Sequence, residues 1–213
     1  SFDERNGVIN CQSGVLMEDI IEVIVPKGWF FEVTSGTSAI TIGGAVAGDV
    51  HGKNHHVRGT FGRHVRSFGL LRHGQPEMTC SPSVNASLFS ASIGGLGLTG
   101  IIHWAQLQLM PIRASQIDTT TVRFANLAEF FALSHELDDK HEYSVAWVDC
   151  LAKGADTGRG VFIVGDHGQY GSLETGRRTR LSMPVTPPVS LINKLSLSAF
   201  NNLYWRLHPS QRK

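Results

Sequence analysis

Thr41-Ile-Gly-Gly-Ala-Val-Ala-Gly-Asp-Val-His-Gly-Lys-Asn-His-His56 is the stretch on which the reading of this chain turns. Gly43, Gly44, Gly48 and Gly52 alternate with the small residues Ala45 and Ala47. Glycine admits positive φ and lets main chain approach a ligand closely. Immediately after come His51, Lys53, Asn54, His55 and His56. A thin backbone wall beside dense polar side chains suits a flat cofactor with a substrate against it. A glycine-rich surface loop is the alternative, since such runs also punctuate ordinary turns.

Working outward, Val8 to Cys11 reads as a strand, and Ser13 is placed to cap a helix running to Val25, with Leu16, Ile20 and Ile24 on one face. Trp29 to Val33 reads as extended, and Ala39 to Ile42 as a strand entering the organising stretch. Val65 to Leu71 and Met78 to Cys80 form a hairpin pattern around Gly74 to Pro76. Asn85 to Ser92 is a short helix, and Ile101 to Leu109 a strand closed by Pro111. Beyond that proline glycine thins out. Asp118 to Arg123 reads as an edge-like strand, Asn126 caps a helix to Leu137 with Glu129 as its partner, and Leu127, Phe130, Phe131 and Ser134 mark the buried face. Tyr143 to Cys150 and Gly160 to Asp166 read as strands, giving an antiparallel sheet with a helix on one face. Gly171 to Thr186 is irregular and basic, and Val189 to Leu207 is a helical pattern.

Composition narrows the classes. The 213 residues carry a net charge of +1, so no broad field favours nucleic acid or an anionic membrane. No apolar run reaches the roughly 20 residues of a membrane helix. Three cysteines without metal-type spacing suggest a reduced, cytoplasmic setting. Gly95-Leu-Gly-Leu-Thr-Gly100 spells a dinucleotide fingerprint, but a helix precedes it and a strand follows, the reverse of what that fingerprint requires. His51, His55, His56 and His64 lack acidic or cysteine partners to complete a metal set, so no metal is expected. No Gly-x-Ser-x-Gly elbow supports hydrolase chemistry. Arg177, Arg178 and Arg180 are read as a solvated face or a phosphate contact.

The Thr41–His56 run, His64-Val-Arg-Ser67 and Gly94-Gly-Leu-Gly-Leu-Thr-Gly-Ile-Ile102 together resemble the FAD-linked oxidases of the vanillyl-alcohol oxidase superfamily. The likeness is nearest to the decaprenylphosphoryl-ribose 2-oxidase subgroup. It is strong from Val8 to Ile112 and weaker through Tyr143 to Asp149 and the terminal helix. It implies an α+β fold: a PCMH-type FAD-binding domain over 1–112, represented by its second subdomain without the N-terminal phosphate-loop subdomain, then part of an antiparallel-sheet substrate domain over 113–213. The chain then reads as an internal piece of a longer oxidase. By matching position, non-covalent FAD would touch Gly36, Thr41, Ile42, Gly43, Gly44, Gly48, Asp49, Val50, His51 and Ile102. Gly52 and Lys53 would line the substrate side, with His51 and Lys53 as the catalytic pair. The implied activity is oxidation of a secondary alcohol on a sugar-like substrate, small or lipid-linked, in the cytoplasm or peripheral to the inner membrane. Two alternatives stand beside it: an oxidase of an aldonolactone or polyol, and a non-catalytic module that keeps the fold without the cofactor.

Overall fold

The structure is a computed structural model that describes residues 1–176, 190 and 192–208. The chain divides into two units, Ser1–Gln116 with His167–Thr175, and Ile117–Asp166 with Gly176–Lys213. Both mix helices with sheet, so the chain is α+β.

The first unit contains β1 (Phe2–Asp3), β2 (Val8–Gln12), α1 (Met17–Ile24), β3 (Trp29–Phe31), α2 (Ile42–Ala47), α3 (His55–Arg58), β4 (Val65–Leu71), β5 (Met78–Cys80), α4 (Ala86–Ser92) and β6 (Ile101–Pro111). The strands form one sheet in the order β1-β2-β6-β4-β5, with β3 joined to the far end of β6. β6 is its spine. It pairs antiparallel with β2, with β4, and through Trp29↔Pro111 to Phe31↔Leu109 with β3. Alternation along β6 sends Ala105, Leu107 and Leu109 inward, with Ile102 joining them across a register shift; Phe31, Phe68, Leu70 and the α1 face Met17, Ile20 and Ile24 are buried as well. This apolar layer is the main source of stability. Phe68 stacks on Phe89 of α4 with centroids 5.3 Å apart, which ties that helix down. α1 starts at Met17 behind Leu16 with no side-chain cap, one turn later than a Ser13 cap would place it, because Ser13 is bound into the strand edge by its N–H to the His103 carbonyl.

The largest departure from expectation is at the organising stretch. Instead of a strand leading into a flat ribbon, Ile42–Ala47 is helical. Thr41 caps it, its Oγ1 accepting the Gly44 N–H at 3.1 Å, and Ile42, Ala45 and Val46 are buried. Burial of that face outweighs the poor helix propensity of two consecutive glycines.

The second unit contains β7 (Ile117–Phe124), α5 (Leu127–Leu137), β8 (Tyr143–Val148), β9 (Gly160–His167) and α6 (Lys194–Leu207), the sheet running β7-β9-β8. β8 and β9 are antiparallel, and β7 is an edge. Asn126 Oδ1 accepts the Glu129 N–H at 3.0 Å, and the Glu129 carboxylate accepts the N–H of Ala125. The helix face that packs on Phe124, Phe162 and Val164 is Phe130, Leu133 and Leu137. Of the expected face, Phe130 packs there and Ser134 is half-buried, but Leu127 is 42% exposed and Phe131 64%. α6 starts at Lys194, capped by Asn193 and Ser196 in a reciprocal box, five residues later than the sequence pattern. The arginines at 177, 178 and 180 lie outside the described residues.

Candidate functional site

Helix α2 and the segment after it are fastened to the sheet by main-chain bonds. The Gly43 N–H donates to the Ser13 carbonyl at 2.8 Å, and the Ile42 N–H to that of Val15 at 3.0 Å. A Cβ on Gly43 would sit 2.8 Å from the Ser13 Cβ, so that glycine is required by helix-to-loop contact. The loop at 94–97 is stitched on from another side: Gly94 and Leu96 N–H groups donate to the carbonyls of Val46 and Ala47. Leu96 is held at φ +51°, left-handed backbone that a leucine seldom adopts. Thus the organising stretch and the Gly94–Ile102 motif, 50 residues apart in sequence, meet at the end of α2.

Gly48 ends the helix, its N–H reaching the Gly44 carbonyl at 2.9 Å. Asp49 follows in left-handed backbone, φ +41°. Its carboxylate accepts the Gly62 N–H at 2.8 Å, which ties the helix exit to the turn before β4. Val50 continues that tie, accepting the Phe61 N–H at 2.8 Å. A side chain on Gly62 would strike both Asp49 and Ile93.

From His51 onward exposure alternates. His51, Lys53 and His55 are exposed, Gly52 is half-buried, and Asn54 is 1% exposed. The strip over 51–55 is a turn rather than a strand: the His55 N–H reaches the Gly52 carbonyl at 3.4 Å, and Asn54, at φ −117° and ψ 17°, is left on the inner side as the helical turn begins. Its inner side is closed tightly: a Cβ on Gly52 would come within 2.2 Å of the Thr34 carbonyl oxygen. Asn54 donates from Nδ2 to the Glu32 carbonyl at 2.8 Å. The outer side carries His51 and His55, their rings 5.8 Å apart edge to face, with Lys53 between them in sequence. His55–Arg58 then makes one helical turn, where glycine content had argued against any helix.

Other expected residues fall as follows. Ile102 is buried in β6 opposite Leu70. Gly36 lies in the loop after β3, with nothing within 4 Å of where a Cβ would stand. His64 does not join the row; its Nε2 faces the Arg58 carbonyl at 3.0 Å. Among the described residues no cluster of three metal-ligating side chains occurs. Two residues the sequence reading passed over belong to the site's frame: Glu32 and Arg58 form an ion pair at 2.9 Å. Their separation of 26 positions left no local signal.

The donor set suits a planar ring system edged with carbonyls, such as a flavin. Among the described residues, the N–H groups of His51, Gly52 and Lys53 have no protein acceptor, and an imidazole and an ammonium stand beside them. By contrast the N–H groups of Ile42, Gly43 and Gly44 are already bonded within the protein, so α2 offers a ligand its surface rather than its donors.

Comparison with known proteins points to the cofactor. Residues 1–79 match the family described as FAD binding domain. The chain is 36% identical, over 85% of its length, to an uncharacterized protein in the mprA 5' region of Streptomyces coelicolor, covering 51% of that protein. It is 30% identical over its whole length to the decaprenylphosphoryl-beta-D-ribose oxidase of Mycolicibacterium smegmatis, covering 48% of it. A D-arabinono-1,4-lactone oxidase of Yarrowia lipolytica is 26% identical over 48% of the chain. The chain therefore spans about half the length of the curated relatives it matches most fully. No helix among the described residues is long and apolar enough to cross a membrane. With residues 1–79 matched to the FAD binding domain family and an α+β fold, the chain carries a PCMH-type FAD-binding region similar to that of the FAD-linked oxidases, and its cofactor is FAD.

Proposed function

We propose that this chain is part of an enzyme that oxidises a secondary alcohol of a sugar-like substrate, small or lipid-linked. Residues 1–112 serve the flavin and 113–213 the substrate. The observation that carries the reading is the outward row of His51, Lys53 and His55 on a strip whose inner side is packed shut. The similarity, over the whole chain, to an oxidase named for decaprenylphosphoryl ribose favours the sugar substrate.

FAD, when bound, supplies a hydride acceptor at N5. The protein's part is positioning and proton handling. Backbone N–H groups at 51–53 would hold the ring edge, while Gly36, Thr41, Ile42, Gly43, Gly44, Gly48, Asp49, Val50 and Ile102 would shape its bed. His51 would take the substrate's hydroxyl proton on a ring nitrogen. Lys53, a compact charge on a flexible stem, stabilises the alkoxide developing at that carbon and holds an anionic group of the substrate. Gly52 keeps the strip thin between them.

Lys53→Met in the flavin-loaded protein tests this. Turnover is expected to fall much further than flavin content, by about 10²-fold or more for a lost charge-stabilising group. Equal losses of turnover and flavin would make Lys53 a structural residue and withdraw its role.

A further inference from the structure

The outer row of His51, Lys53 and His55 sits on a turn whose inner side is fastened to a distant stretch of chain. Three contacts on that strip, among the described residues, converge on the stretch just after β3. The Glu32 carbonyl accepts Asn54 Nδ2 at 2.8 Å, the Glu32 carboxylate accepts Arg58 Nη1 at 2.9 Å, and the Thr34 carbonyl leaves Gly52 no room for a side chain. The Glu32 side chain is only 12% exposed and that of Arg58 35%, so the pair is more shielded than a surface ion pair. The Asn54 side chain is essentially buried. The strip is thereby gripped before and after Lys53: Asn54 sits within it, and Arg58 at the end of the helical turn that follows.

We propose that Glu32 is a positioning residue for the proposed reaction. Acting through Asn54 and Arg58, it fixes residues 51–55 so that His51, Lys53 and His55 project together from one side. Glu32 touches neither substrate nor cofactor in this role. The inference rests on the reading of that row as the flavin margin, but the grip itself can be measured without it.

Hydrogen exchange on the full chain supplies the first readout. The N–H groups of Val57 and Arg58 bond to the Asn54 carbonyl, Gly59 to His55, and Phe61 to Val50. Their protection therefore reports the strip. Glu32→Gln keeps the size and the backbone carbonyl while removing the charge that Arg58 meets. Exchange at 57–61 should accelerate about tenfold, the scale of one charge-assisted hydrogen bond, with β4 and β6 unchanged. Asn54→Ala should do the same from the other grip. The second readout is the flavin: the Kd for added FAD, by fluorescence, should rise about tenfold in Glu32→Gln, with a changed fine structure of the bound flavin band. Arg58→Met should match it, and Arg58→Lys should recover part of the affinity.

Unchanged exchange at 57–61 in Glu32→Gln overturns the proposal. So does acceleration spread equally over β4 and β6, which would mean general loosening, and so does a loosened strip with unaltered FAD affinity. Wild-type protein that takes up no FAD would instead overturn the flavin reading, and the exchange comparison would then decide the grip by itself.

Discussion

Replacing Arg159 by Met should unlatch α6 from the sheet of the second unit. Arg159 and Asp149 are 8% and 1% exposed. The guanidinium donates to Asp149 Oδ2 from Nε at 3.1 Å and from Nη2 at 2.8 Å, and Nη2 also reaches Asn202 Oδ1 at 2.6 Å. Asn201 Nδ2 donates to the other Asp149 oxygen at 2.7 Å. The Trp205 ring lies against two guanidiniums, Arg159 at 5.0 Å and Arg123 at 4.4 Å. Against this network α6 buries no residue fully, and Leu195, Leu203 and Leu207 are exposed. The helix is therefore docked by charge, amide and indole contacts more than by apolar area. Arg159→Met leaves the Asp149 carboxylate buried without its cation, and breaking such a pair from one side costs about 3–5 kcal/mol. A domain has only about 5–15 kcal/mol in all. Urea titration followed by circular dichroism, with amide exchange to localise the loss, should show α6 exposed before β8 and β9 yield. Asp149→Asn with Arg159→Met should cost less than the sum of the singles by about 0.5–3 kcal/mol, the coupling expected of residues in one network. A single-variant cost under about 1 kcal/mol, the value of an exposed pair, would refute the reasoning. So would strict additivity.

The same carboxylate gives an acid limb to stability. Burial raises the Asp149 pKa, but hydrogen bonds from Arg159, Asn201 and the Leu151 N–H outweigh it and hold the group below the usual carboxylate range. A depressed folded pKa contributes stability above the unfolded value, near 3.9, and that share is lost as pH falls through the folded value. Loss of α6 as pH falls below about 4 should be steeper in wild type than in Asp149→Asn. Gly52→Ala forces a Cβ to 2.2 Å from the Thr34 oxygen, so the strip must move. Its cost should be about 1–3 kcal/mol, read by thermal unfolding, with loss of FAD uptake. Asn126→Ala removes the cap of α5 and should cost about 1 kcal/mol by urea midpoint.

Much of the sheet could be read directly. β6 alternates, the hairpin of β4 and β5 turns at a Gly-Gln-Pro, and the Asn126 cap stands next to its helix in sequence. What escaped was set by contacts distant in the chain. Ile42-Gly-Gly-Ala-Val-Ala has weak helix propensity and becomes helical because Ile42, Ala45 and Val46 are buried and Ser13 leaves Gly43 no room for a side chain. Phe131 looked like core by composition, yet the 3.6-residue period from Phe130 selects Leu133 and Leu137 instead. In α6 the apolar residues mark the exposed side, because the docking side is Asn201, Asn202, Tyr204 and Trp205. Hydrophobic periodicity points the wrong way wherever the contact is polar.

The candidate site shows the converse. A catalytic side chain must face outward and still be held still, and an exposed loop alone cannot do both. The turn over residues 51–55 resolves the conflict by dividing the residues between two tasks. The even positions are the small Gly52 and the buried Asn54, which lock against main chain at 32–34. The odd positions carry the imidazoles and the ammonium, exposed on the other side. The outer residues announce chemistry in the sequence by their type. The inner lock is silent because half of it is the backbone of Glu32 and Thr34, and backbone carbonyls look alike in any sequence.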